Sequence, residues 1–111
     1  MIEVILIGDS TRTGYQDVVS RLLEGVANVW WPDENCRHSG VIKDNLGKWA
    51  LHRDPDVVHI NVGHHDLAQP EAGGYVVSIE DYEANVREIL KKILGRTDAT
   101  LIWATSTPVV D

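Results

Sequence analysis

Apolar positions along this chain switch repeatedly between a strand-like and a helix-like pattern. Ile2–Ile7 is an apolar run that halts at Gly8-Asp9-Ser10, and it reads as a buried strand. From about Thr13 to Leu23 the period lengthens, and Val18, Val19, Leu22 and Leu23 fall on one face of a helix. A short strand is expected at Val26–Trp31, followed by the loop Pro32-Asp33-Glu34-Asn35. A helix from about Ser39 to Leu51 then carries Ile42, Leu46 and Trp49 at helical spacing, and Asp54-Pro55 ends that unit. Val57–Val62 is the third strand and stops at Gly63. A long polar loop with Pro70 and Gly73-Gly74 runs from there to Ser78, and loops of that length commonly border a site.

Ser78 and Asp81 form a capping box that opens a helix over Ile79–Leu94, with Val86, Ile89, Leu90, Ile93 and Leu94 as its apolar stripe and Gly95 as its stop. The last strand is Thr100–Ala104. Four strands with three intervening helices predict a three-layer α/β/α fold of the flavodoxin-like kind, in which right-handed crossovers cover both faces of a parallel sheet. Ligands of such sheets bind beyond the carboxyl ends of the strands. Ser10, His64 with His65, and Thr105 with Ser106 all lie at such ends.

The 111 residues and 43% hydrophobic content fit one domain over residues 1–111. A formal charge of −7, with ten scattered basic residues, argues against nucleic acid as a partner. Cys36 is the single cysteine, which excludes an intrachain disulfide and multi-cysteine zinc sites and fits a reducing compartment. Ile2–Ile7 lacks a basic region before it and is too short for a signal or membrane segment, so the expectation is a soluble cytoplasmic protein without membrane association. No cofactor is implied.

The chemistry is narrowed by weighing each polar residue against its structural use. Gly-Asp-Ser alone suits a turn or helix cap, but closing a buried strand it also delivers the Ser10 hydroxyl to the sheet's carboxyl edge as a candidate nucleophile. Asp9 is read as an N-cap or turn support. Adjacent His64 and His65 have no partner at His-x-x-x-His spacing, so a metal site is not expected. His59 sits inside an apolar strand and is read as a core histidine. Asn61 shares its sheet face and braces the neighbouring loop. Cys36 is taken as a buried thiol, and Trp30 and Trp31 as pointing to opposite sides of a strand end.

These residues resemble the SGNH, or GDSL-type, hydrolase family. The family's first block is matched by Gly8-Asp9-Ser10 after the first strand. Its third block, Gly-x-Asn-Asp, is matched by Gly63-His64-His65-Asp66, with His65 in the place of the asparagine. The resemblance implies that Ser10 attacks an ester carbonyl and that His65 donates to the oxyanion, a role an imidazole N–H can fill. The second block would place its glycine at Arg37, whose backbone N–H is then the implied second donor. Asp66 is expected to tether the turn around His65. The implied substrates are short acyl or acetyl esters, cleaved through an acyl-serine.

The family's fourth block, Asp-x-x-His, is missing, and no histidine follows His65. The resemblance therefore covers the front part of the family's domain, incomplete at its C-terminal end. Three accounts of the base remain open. The chain is an inactive fragment, or His38 or His64 is recruited, or a neighbouring subunit in a homo-oligomer supplies the imidazole. The competing class is a non-catalytic flavodoxin-like binding module, although a receiver's acidic pair and a phosphate loop's glycines are both absent.

Overall fold

Val4–Ile7 of the first strand, β1 (Ile2–Ile7), are all buried, because strands flank β1 on both sides and helices pack on both of its faces. The computed structural model describes residues 1–63, 66 and 77–105. After β1 come α1 (Ser10–Leu22), β2 (Ala27–Trp30), α2 (Ser39–Trp49), a 3₁₀ turn at Leu51–Arg53, β3 (Val57–Asn61), α3 (Ile79–Arg96) and β4 (Thr100–Ala104). The four strands form one parallel sheet in the order β2-β1-β3-β4, with Ile5 opposite both Trp30 and Val58, and Ile60 opposite Trp103. This is the expected α/β architecture.

The pleat of β1 divides the core into two. Ile5 and Ile7 face α2 and α3, where Ile42, Leu46, Val58, Ile60, Ile89 and Ile93 are fully enclosed. Each such aliphatic contributes roughly 1.5–3 kcal/mol by burial. Val4 and Leu6 face the other way, onto Tyr15, Val19 and Leu23 at the end of and along α1. On that second face a trough of about 510 Å³ runs between α1 and the sheet, lined among others by Leu6, Tyr15, Val19, His59 and Ile102.

Three local expectations are corrected. The first helix starts at Ser10 and not near Thr13, because Asp9 accepts the Thr11 N–H at 2.9 Å and caps the helix ahead of its first apolar residue. Its buried stripe runs through Arg12, Tyr15, Val19 and Leu23, which leaves Val18 and Leu22 of the expected face exposed. The third helix continues through Gly95 to Arg96, and Thr97 ends it by donating both its N–H and its hydroxyl to the Ile93 carbonyl. The Ser78 cap is present, accepting the Asp81 N–H at 3.1 Å. Trp30 packs on the larger core and Trp31 on the smaller, so the two indoles lie on opposite sides of the sheet and both are partly buried.

Candidate active site at the carboxyl edge of the sheet

Ser10 is exposed at the first position of α1, directly beyond the carboxyl end of β1. At that position its N–H has no intrahelical acceptor, and the helix presents the positive end of its dipole. The residues on either side are fixed. Asp9 is 2% exposed, and its Oδ1 accepts from Thr11 N and from Asn61 Nδ2 at 3.0 Å. Gly8 has no room for a side chain, since an added Cβ would overlap Asn61 Oδ1 and lie 2.9 Å from Arg12 Cβ. The site is therefore an exposed hydroxyl on a rigid turn.

Asn61, at the end of β3, also accepts the Tyr15 hydroxyl at 2.8 Å, and Tyr15 Oη lies 3.4 Å from His59 Nδ1. Asn61 thus braces the Ser10 turn, and His59 is held by a neighbour. Burial shifts both titrating groups toward neutrality. It lowers the His59 pKa and raises that of Tyr15, where Arg12 opposes the rise and Asp9 adds to it.

Arg12 is the site residue that sequence reading missed. Its guanidinium is 0% exposed, with Nη1 donating to Pro32 O at 2.7 Å and Nη2 to Glu34 O at 2.8 Å, while Nε has no partner among the described residues. It fastens the loop after β2 to the Ser10 turn, and Cys36 N–H donating to Gly8 O at 3.1 Å adds a second fastening. One sequence signal was available: a cation in the first turn of a helix opposes the helix dipole and needs another reason to be there. Cys36 is fully buried, and burial pushes its thiol pKa up against a Gly8 backbone hydrogen bond and the Arg12 charge, which is the inert state expected of it.

The same loop carries Arg37 and His38. Arg37 adopts φ 54°, the left-handed conformation that a glycine takes without cost, which matches the placing of the second-block glycine there. Its N–H, however, donates to Asn35 Oδ1 at 2.7 Å and is not a free donor in this arrangement. His38 caps α2 through Nδ1, which accepts the Gly40 N–H at 3.1 Å. That use of the ring competes with the expected role of base.

Asp66 is buried, and its described side-chain partner is Ser39 at the start of α2. Its carboxylate accepts the Ser39 N–H at 2.9 and 3.2 Å and the Ser39 hydroxyl at 2.5 Å, and Asn85 donates to the same hydroxyl at 3.0 Å. The segment after β3 is thereby pinned to the start of α2, where a carboxylate suits the helix dipole. Tyr82, with its pKa raised by burial and by the Asp66 charge, donates to Val62 O at 3.2 Å. Gly63, two residues beyond β3, has φ 148°. His64, His65 and Ser106 lie outside the described residues, and Thr105 is exposed beyond β4.

Among the described residues no group of His, Cys, Asp and Glu could hold a metal ion, and no helix is long and apolar enough to cross a membrane. No family model matches the sequence, and no curated protein matches it. Solved structures do. A protein of Parabacteroides merdae described as a GDSL-like lipase superposes with a TM-score of 0.77 at 17% identity, over 92% of this chain and 58% of its own. The fold is that of the GDSL-type hydrolases. An acetyl xylan esterase, AlAXEase, superposes at TM-score 0.74 and 16% identity, over 92% of this chain and 57% of that one. A Bacteroides fragilis protein described as an acylhydrolase gives 0.70 and 15%, over 91% and 46%. The chain thus spans about half the length of these structures.

Proposed function

We propose that the chain carries the nucleophile of a GDSL-type esterase site, with Ser10 attacking short acyl or acetyl esters. One observation carries this reading: Ser10 is exposed at the N-terminus of α1 while its neighbour Asp9 is buried and locked to Asn61. Such a turn holds a hydroxyl still in front of a substrate, which is what nucleophilic catalysis asks of its scaffold. The acetyl ester class is supported by the fold shared with an acetyl xylan esterase.

Ser10 Oγ adds to the ester carbonyl and passes its proton to a base, and the carbonyl electrons move onto the acyl oxygen. The Ser10 N–H at the start of α1 stabilises that oxygen, and an N–H of His65 adds to it. Collapse expels the alcohol, and water then frees the acid from acyl-Ser10. His64 or an imidazole of a second subunit serves as the base.

The test is turnover of an activated acetate ester by the purified chain beside Ser10→Ala. Turnover lost in the variant supports the reading, and equal rates would remove it.

A further inference from the structure

His38 is placed to do the opposite of what a base does. A backbone N–H can only donate, so Nδ1 of His38, which receives the Gly40 N–H at 3.1 Å, presents its lone pair there. A neutral ring so engaged carries its proton on Nε2, and the lone pair that a base needs at that nitrogen is gone. Gly40 leaves room for the ring: a Cβ there would lie 3.1 Å from both Nδ1 and Cε1. Nε2 has no hydrogen-bond partner among the described residues, and the ring is half-buried. The loop bearing it is bonded to the Ser10 turn through Cys36 and Arg12. On that loop the Arg37 N–H is taken by Asn35, so the free donor is the ring one residue on.

We propose that His38 is an oxyanion donor and not the general base: its Nε2–H, fixed by the Nδ1 cap, hydrogen-bonds the acyl oxygen of the ester that Ser10 attacks. The proposal rests on the Ser10 reading. The new bond joins Oγ to the acyl carbon, the carbonyl electron pair moves to the acyl oxygen, and the serine proton leaves to an imidazole other than His38, which keeps its own. A neutral imidazole at a helix N-terminus is a known electrophile of this kind.

Two side chains separate the alternatives. Asn at position 38 puts an amide oxygen where Nδ1 caps the helix but deletes the distal donor, whereas Gln offers an N–H near the place of Nε2. With an activated acetate ester, His38→Asn is expected to keep wild-type stability to urea and lose about 100-fold in kcat with little change in KM, as for loss of one oxyanion donor. His38→Gln recovers part of that loss. Nitrogen-15 spectra of the labelled wild-type protein are expected to show His38 protonated at Nε2 and bare at Nδ1. A His38→Asn enzyme as fast as wild type, or a proton found on Nδ1, would overturn the donor role while leaving Ser10 untouched. Absence of Ser10-dependent turnover in the wild type would overturn both.

Discussion

Asn61 clamps Asp9: the amide at the end of β3 donates to the carboxylate that caps α1, at 3.0 Å, while its own oxygen receives the Tyr15 hydroxyl. One side chain thereby ties two strand ends and the first helix together beside Ser10. Asn61→Leu strips Asp9 of a donor and Tyr15 of an acceptor, at about 1–3 kcal/mol for each part-buried group left unpaired. Asn61→Asp sets a second carboxylate against the first and is expected to cost more than Asn61→Leu. Urea unfolding of the two variants beside the wild type checks the order.

Arg12 is expected to be the costliest residue of the turn to replace. Arg12→Met leaves the Pro32 and Glu34 carbonyls without their charged donors, at about 1–3 kcal/mol each, and Arg12→Lys restores one bond of the two. Denaturant midpoints should fall in the order wild type, Lys, Met with an unchanged slope. Amide exchange at Cys36 should quicken in Arg12→Met beyond that of β1.

Gly8 has no space for a methyl group between Asn61 and Arg12. Gly8→Ala is expected to cost about 1–3 kcal/mol by overpacking and to displace the Ser10 turn. A control is Gly14→Ala, where an added Cβ meets nothing within 4 Å, so that variant should be as stable as wild type or slightly more so.

The shifts of His59 and Tyr15 predict a stability plateau with two shoulders. Folded His59 has a pKa below the ordinary 6.5, so as pH falls through that value the unfolded chain takes up a proton first and stability declines until the folded ring is protonated too. Folded Tyr15 lies above the ordinary 10.0, so above that pH the unfolded chain loses its proton first and stability declines again. His59→Gln should flatten the acid shoulder and Tyr15→Phe the alkaline one in urea midpoints across pH.

The strands were legible because their apolar runs end abruptly, at Gly8 and Gly63, and the register of β3 follows from alternation through Val58, Ile60 and Val62. Ser10 was legible for the same reason: a polar triplet closes a buried run. What escaped reading rests on contacts far apart in the chain. Nothing local to Asp66 says that its partner is Ser39, 27 residues earlier, or that Asn85 completes the set. Arg12 escaped because an arginine reads as surface, and its partners are carbonyls, which leave no mark in a sequence. His38 was legible as a candidate imidazole on the loop after β2 but not as a cap, since its partner is the N–H of a glycine two residues on.

The account stands on Ser10 becoming acylated. The most direct measurement is peptide mass mapping of the purified chain after brief exposure to an activated acetate ester, with Ser10→Ala alongside. An acetyl group on the peptide bearing Ser10, absent from the variant and lost on standing in water, is the predicted result. Acetylation confined to lysines, equal in the two proteins, would contradict it.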